Sequence, residues 1–233
     1  MTTRHPKRIL MVLTSNDRMH PTDRPTGLWA EELAEPFYAL TDAGAEVTLA
    51  STAGGPVPID PGSMKPPGEN EPAVDRMLQD EALQRGITHT HRVDELAMAD
   101  FDAVFFPGGH GTMWDLPGSD GVRRVVEEAD AQGKVIASVC HGAAGLVTAR
   151  RPDGEPVVAG RRVNSFTDSE ERAAGLAEVV PFLLETRLRT LGAHFEGGPD
   201  WEPHAVRDGR LVTGQNPRSS RRVAELVIEA LQG

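Results

Sequence analysis

The sequence is short of cysteine, of positive charge and of long apolar runs. Its single cysteine, Cys140, excludes a disulfide within the 233-residue chain. The 24 lysines and arginines are outnumbered by 35 acidic residues, and the formal net charge of -11 argues against a nucleic-acid or anionic-membrane partner. No apolar run reaches the roughly 18 residues of a membrane span, and the N-terminal run is too short for a secretory signal. We therefore expect a cytoplasmic protein that binds neither nucleic acid nor membranes.

Strand-like and helix-like segments alternate along the whole chain. Strands are predicted at RILMVLTS (8–15), AEVTLAS (45–51), DAVFF (102–106) and KVIASVC (134–140). Helices are predicted over 27–44 with a kink or break at Pro36, within 72–98, over 118–134, 141–149 and 179–192, and from about Pro217. HAVRDGRLVTG is typical of a hairpin around Asp208-Gly209. This order predicts one α/β domain over residues 1–233, a doubly wound, mainly parallel sheet sandwiched by helices, with a small extra hairpin or cap region.

Cys140 stands at a predicted strand-to-helix corner. In a doubly wound sheet, ligands bind beyond the carboxyl ends of the strands, and Cys140 ends one of them. The small residues Ser138, Gly142 and Ala143 let strand and helix approach closely, as in a nucleophile elbow. A helix starting here would lower the pKa of the thiol, and the N–H of His141 would point toward a substrate oxyanion. Free cysteines in strands are often inert and buried, but this position favours a nucleophile.

A second predicted strand runs into the glycine-rich turn FFPGGHGT. Gly108 and Gly109 can bring a bare backbone N–H close to a ligand, which suits an oxyanion hole beside a cysteine. The turn lacks the spacing of a dinucleotide-binding loop and the lysine of a Walker motif, so phosphate binding is not expected. His110 in the same turn is a candidate substrate-binding residue, although by itself a turn histidine without chemistry is the commoner case.

A catalytic thiol also needs an acid or base, and acidic residues occur near two predicted strand ends. The candidates are Glu31, Glu32, Glu35, Asp168, Glu170 and Glu171. Glu32 lies next to the apolar stripe of the first helix, where burial would raise its pKa, whereas its acidic neighbours fit the solvated face. SFTDSEERAAG fits a helix cap formed by Thr167 or Asp168 as well as it fits a functional segment. Residue patterns alone leave the choice among these acids open.

Together these motifs resemble those of the ThiJ/PfpI superfamily, relatives of class I glutamine amidotransferase domains. The sequence is most similar to the heat-shock-chaperone branch of glutathione-independent glyoxalases (glyoxalase III), over nearly the whole chain. TGLWAEELAEPF resembles that branch's first-helix motif, which implies that Glu32 is catalytic. GGHGTMWD resembles its oxyanion turn, and ASVCHGAAGL its nucleophile elbow. VNSFTDSEE resembles the segment with the acidic partner of His141, which implies Glu171, with Glu170 and Asp168 as alternatives.

The resemblance implies a flavodoxin-like fold, a homodimer and no cofactor. Cys140 would attack the aldehyde of methylglyoxal or glyoxal, and the N–H groups of Gly109 and His141 would stabilise the oxyanion of the hemithioacetal. Glu32 would move a proton between the two substrate carbons, and hydrolysis of the resulting thioester would release a 2-hydroxy acid. The alternatives are a stress-response holdase chaperone and a cysteine hydrolase or amidase of the same superfamily. A redox-sensing thiol is a further alternative.

Two other histidine motifs are expected to have no role in this chemistry. His194-Phe195-Glu196 spells the H-x-E motif of true amidotransferases, but it lies on a predicted strand leaving a helix, and His141 already has a predicted acidic partner. Some chaperone members carry a His/Glu metal site, and HTH (His89, His91) suggests one. Without an identifiable third ligand, two histidines in a polar loop predict no metal site.

Overall fold

A computed structural model describes residues 5–232 of the chain. Its strands are β1 (Arg8–Leu13), β2 (Arg18–Met19), β3 (Arg24–Pro25), β4 (Glu46–Ser51), β5 (His91–Arg92), β6 (Ala103–Phe106), β7 (Val135–Val139), β8 (Arg162–Val163), β9 (His194–Phe195), β10 (Ala205–Asp208) and β11 (Leu211–Gly214). Its α-helices are α1 (Ala30–Asp42), α2 (Pro72–Gln79), α3 (Glu81–Thr88), α4 (Thr112–Asp115), α5 (Asp120–Ala131), α6 (Asp168–Ala173), α7 (Leu184–Thr190) and α8 (Ser220–Gln232). None of the helices in this range is both long and apolar enough to cross a membrane.

Seven of the strands form one sheet in the order β10-β11-β7-β6-β1-β4-β5. All neighbours are parallel except β10 and β11, which form the antiparallel hairpin predicted around Asp208-Gly209. Gly209 has a φ of 60°, a left-handed conformation that a tight hairpin turn requires and glycine adopts without strain. The chain runs from β1 outward to β4 and then back to β6 on the other side of β1. The predicted doubly wound, mainly parallel α/β sheet is therefore confirmed.

The sheet is covered on both faces, and successive residues of its central strand enter two separate cores. Leu10 and Val12 of β1 pack with residues of α5 and α7 on one face. Ile9, Met11 and Leu13 pack with residues of α1, α2, α3 and α8 on the other. Because every residue from Ile9 to Leu13 is fully buried, β1 reads as a continuous apolar run rather than as an alternating pattern.

Two local features differ from the sequence prediction. Of the kink or break predicted at Pro36, the break does not occur: α1 continues through Pro36 to Asp42, because its packing against α2 and α8 outweighs the hydrogen bond that proline cannot donate. The predicted α-helix after Cys140 is a 3-10 helix over Cys140–Leu146. This tighter helix lies directly against β6: a Cβ on Gly142 would come within 2.0 Å of the Phe106 carbonyl oxygen.

Candidate active site

Cys140 follows directly on the last residue of β7 and turns the chain sharply away from the sheet. Its φ of 56° is in the left-handed region, which costs a residue with a side chain roughly 1–2 kcal/mol. The strain places the Sγ atom at the carboxyl end of the sheet, where the side chain is buried beside the turn that follows β6. The predicted strand-to-helix corner is present, and glycine at position 142 is what allows the chain to fold so closely over Phe106.

Glu32, in the first turn of α1, is fully buried at this corner. Its Oε2 accepts a hydrogen bond of 2.7 Å from the N–H of Gly108. Within residues 5–232, its Oε1 has no hydrogen-bond partner of good geometry. Burial raises the pKa of Glu32 well above its usual value, although contact with the Cys140 thiol and the Gly108 bond oppose the shift. In the neutral acid, the oxygen that accepts from Gly108 is the carbonyl, so the proton lies on Oε1.

The pKa of the Cys140 thiol is raised, whereas the sequence predicted that it would be lowered. Burial raises its pKa, and the adjacent Glu32 carboxyl raises it further. The backbone N–H of His141 lies against the sulfur and acts in the opposite direction. The predicted lowering by a helix terminus is not found, because the following helix is a short 3-10 segment and the site is desolvated. Two negative charges at such close range are unfavourable, so Cys140 and Glu32 are not ionised together and their titrations are coupled.

His141 connects the thiol to an acid. Its Nδ1 lies 3.3 Å from the Cys140 Sγ, and its Nε2 lies 2.6 Å from Oε2 of Glu171. The carboxylate has no proton to donate when ionised, so Nε2 carries the imidazole proton and Nδ1 is left as the basic nitrogen facing sulfur. Burial and the nearby His110 lower the pKa of His141, while His141 and His110 hold the pKa of Glu171 far below its usual value. A neutral imidazole between a thiol and a carboxylate can accept the thiol proton.

His110 shares the same carboxylate, which no sequence pattern indicated. Its Nε2 lies 2.7 Å from Oε1 of Glu171, and its ring centroid lies 4.0 Å from that of His141. The His110 side chain is 12% exposed, whereas that of His141 is 1% exposed. Glu171 therefore accepts from two histidines at once, one fully buried and one partly exposed to a cavity. The signal was non-local: His110 and Glu171 are 61 residues apart.

The two alternative acids have other partners. Glu170 is the third residue of α6 and forms a capping box with Thr167, as the helix-cap interpretation of this segment predicts. Its Oε1 also accepts hydrogen bonds from the side chains of Gln215 and Asn216 and from the backbone N–H of Trp201. Asp168 accepts a hydrogen bond from the Thr186 hydroxyl. Of the three acids, the structure brings only Glu171 into contact with His141.

The two backbone N–H groups of the glycine turn, those of Gly108 and Gly109, have different partners. The N–H of Gly108 is occupied by Glu32, so Gly108 is not available as the oxyanion donor that the sequence suggested. The N–H of Gly109 donates to no acceptor in the described part of the chain and lies beside the same cavity as Cys140. Gly109 has a φ of 99°, and a Cβ there would come within 2.3 Å of the Gly27 carbonyl oxygen. Glycine is therefore required at position 109 for the turn to approach both the cavity and the backbone of Gly27.

A cavity of about 410 Å³ opens above these groups. Glu32, Gly109, His110, Cys140 and His141 form its polar floor. Its walls come from loops and short strands that include Met19, Arg24, Trp29, Asp60, Phe166, Leu176 and Trp201. Apolar walls around a few convergent polar groups are typical of a small-molecule site.

Among residues 5–232, one group of three side chains has the spacing of a metal site. It consists of His110, His141 and Glu171, whose potential ligand atoms lie within 4.8 Å of one another. Their short histidine–carboxylate hydrogen bonds already account for that spacing. His89 and His91 are exposed near the β5 edge, outside this group. In the H-x-E motif, Glu196 forms an ion pair with Arg162 on the surface.

The chain is similar to known proteins over almost its whole length. A model of the DJ-1/PfpI family matches residues 26–230. The Saccharomyces cerevisiae protein named glutathione-independent glyoxalase HSP31 is 30% identical, over 97% of this chain and 99% of its own. A crystal structure of glyoxalase III from Candida albicans is 29% identical with a TM-score of 0.87, covering 96% of this chain and 97% of its own. The 24 kDa rapid encystment protein of Francisella tularensis is 33% identical with a TM-score of 0.92, covering 97% and 99%. The chain therefore belongs to the DJ-1/PfpI family, as its resemblance to the ThiJ/PfpI superfamily predicts.

Proposed function

We propose that this protein converts 2-oxoaldehydes such as methylglyoxal or glyoxal into 2-hydroxy acids without glutathione. The observation that carries the proposal is the position of the buried Cys140 thiol. It contacts Glu32, whose pKa is raised by burial, on one side and the His141–Glu171 pair on the other. The names of the similar yeast proteins support the same chemistry. Enzymes of this type use the cysteine as a nucleophile, and the overall reaction adds one water to the substrate.

The first step is attack of sulfur on the aldehyde carbon. The thiol proton passes to Nδ1 of His141, which its low pKa keeps neutral and ready to accept it. The resulting imidazolium is stabilised by Glu171. The new carbon–sulfur bond leaves an oxyanion that the N–H of Gly109 can stabilise from the cavity floor. The imidazolium of His141 then gives its proton to that oxygen, which forms the hemithioacetal and returns His141 to its neutral form.

The second step is proton transfer between the two substrate carbons. Glu32 as the carboxylate removes the hydrogen from the former aldehyde carbon, and the electron pair forms an enediolate. Glu32 then returns the proton to the neighbouring carbon, which is reduced as the first carbon becomes a thioester. The raised pKa of Glu32 suits both tasks, because the group must accept and donate the same proton. Water then cleaves the thioester, which releases the 2-hydroxy acid and returns the thiol.

A holdase chaperone would require exposed apolar surface for binding unfolded chains. Within residues 5–232, Trp201 is the one large hydrophobic residue classed as exposed, at 43%, and it lies at the cavity rather than on an open patch. The cavity and its reactive groups favour the enzyme over the chaperone. The hydrolase or amidase alternative uses the same thiol, and it differs in needing no carbon-to-carbon proton transfer.

We also propose a homodimer and a cytoplasmic location, both from the family resemblance and the composition. Light scattering that gives the mass of one chain would contradict the dimer. Fractionation of the source cells that places the protein outside the cytoplasm would contradict the location.

The test is lactate formation from methylglyoxal in the absence of glutathione. We expect activity in the parent and none in Cys140→Ser. We expect Glu32→Gln to lose about 10²–10⁴-fold in rate, the usual contribution of general acid–base catalysis. A parent without turnover would contradict the proposed function. Full activity of Glu32→Gln alongside an inactive Cys140→Ser would keep the thiol chemistry and remove the proton transfer by Glu32, as in a hydrolase.

A further inference from the structure

The cavity is far larger than methylglyoxal. Methylglyoxal has five non-hydrogen atoms, and even at the roughly 30 Å³ that a water occupies in the liquid these take about 150 Å³. The cavity measures about 410 Å³. Its reactive groups lie together at the floor, so the space left over lies between the aldehyde site and the mouth.

The remaining space is lined mainly by apolar side chains. Trp201 packs edge-on against Phe166 with ring centroids 5.5 Å apart, and Phe166 lies 4.4 Å from the ring of His141. Three rings therefore form a continuous wall from the mouth to the catalytic floor. Met19, Trp29 and Leu176 line other parts of the same cavity. The single methyl group of methylglyoxal would leave most of this apolar surface uncovered.

Trp201 is held in place at a conformational cost. Its φ of 63° is in the left-handed region, where a tryptophan is strained. The fully buried Glu170 accepts its backbone N–H at 2.8 Å, and Arg218 donates to its carbonyl oxygen at 3.3 Å. A strained residue fixed by a buried carboxylate, with its indole partly exposed at a cavity, is typical of a ligand-binding position rather than of a random surface residue.

We infer that the preferred substrates are 2-oxoaldehydes whose side chain is a branched alkyl or aromatic group, and that Trp201 is a specificity-determining residue for that group. The inference rests on the proposed function. The dicarbonyl end would meet Cys140 and Glu32 as methylglyoxal does, with the same bonds formed and broken. The side chain would lie along Trp201 and Phe166 toward the mouth, where its burial contributes binding energy that a methyl group cannot.

The test is a series of 2-oxoaldehydes with methyl, propyl, isobutyl and phenyl side chains. kcat/KM, corrected for the fraction of free aldehyde, should rise about fourfold for each methylene that becomes buried, hence roughly 15-fold from methyl to propyl. Trp201→Ala should reduce the ratio of isobutyl to methyl activity at least about fivefold. Because the readout is a ratio within one variant, partial unfolding cancels. Trp114→Ala removes an indole that does not line the cavity and should leave the ratio at the parent value.

The outcomes separate the inference from the proposed function. Methylglyoxal turnover with a flat or falling series overturns the substrate preference and leaves the proposed function standing. A rising series whose ratios are unchanged in Trp201→Ala overturns the role of Trp201. Absence of turnover for every member of the series, in a folded parent, overturns the proposed function and this inference with it.

Discussion

Replacing Glu171 with glutamine would test which acid orients the catalytic imidazole. The carboxylate accepts from His141 at 2.6 Å and from His110 at 2.7 Å, and a glutamine offers only one accepting oxygen. The imidazolium formed when His141 takes the thiol proton would lose a hydrogen bond to a charged partner, worth about 1.5–3 kcal/mol. Since 1.36 kcal/mol is tenfold in rate, kcat/KM for methylglyoxal should fall about 10- to 150-fold in Glu171→Gln.

The neighbouring acids supply the controls. Asp168→Asn changes an acid of the same helix whose carboxylate accepts hydrogen bonds only from Thr186 in the described structure, and its kcat/KM should stay within about twofold of the parent. Glu170→Gln places an amide N–H₂ among the donors that now converge on Glu170, so its main effect should be a loss of about 1–3 kcal/mol in the free energy of unfolding. Steady-state kinetics and thermal melts on all three variants distinguish these effects. A Glu171→Gln enzyme within twofold of the parent, or an Asp168→Asn enzyme with the larger rate loss, would refute the assignment of Glu171.

Three further expectations concern charge and backbone strain. His110→Asn removes the neighbouring imidazole that lowers the pKa of His141. That pKa should therefore rise, and the acidic limb of the kcat/KM profile against pH should move to higher pH. A profile that stays in place would contradict the coupling. Burial and acidic neighbours raise the pKa of Glu31 from 4.5 to about 7, so the stability from this group is fully present below about pH 4.5 and is lost as pH rises through 7. Glu31→Gln should therefore raise the free energy of unfolding at pH 8 by roughly 1 kcal/mol more than it does at pH 4.5, after discounting for solvent screening. Thermal melts in which the substitution shifts the melting temperature equally at both pH values would contradict this. The free energy of unfolding of Cys140→Gly should exceed that of Cys140→Ala by about 1 kcal/mol, because glycine adopts a φ of 56° without strain. A lower melting temperature for the glycine variant would show that the backbone at Cys140 is unstrained.

The sequence was informative wherever the determining contacts are local. The apolar run of β7, the cysteine that ends it and the small residues that follow predict the strand-to-helix corner, and the structure has it. Burial of Glu32 follows from its position beside the apolar stripe of α1. The helix cap at Thr167 is likewise a local pattern, and it is present.

Long-range contacts account for what the sequence did not predict. His110 meets Glu171 only because the β6 turn and α6 converge above the sheet. The N–H of Gly108 donates to Glu32 for the same reason, since the first turn of α1 lies against the turn that follows β6. The raised pKa of Glu31 was not predicted because the charged residues that act on it, including Glu71 and Arg218, are distant in the sequence. Residue spacing within one segment predicts none of these long-range contacts.

The cavity is built from two kinds of structure with different tolerance to change. Its floor is fixed by α1 and by the ends of β6 and β7, whose register is set across the whole sheet. Its rim comes from the short β2–β3 ribbon, the 60–62 segment and the loop that carries Trp201, none of which belongs to the central sheet. Divergence within the family can therefore exchange the rim while the reactive floor stays constant, so that substrate range and reaction type evolve separately. Transplanting a relative's rim loops onto this chain should transfer selectivity while the chemistry on bound substrate stays that of the recipient.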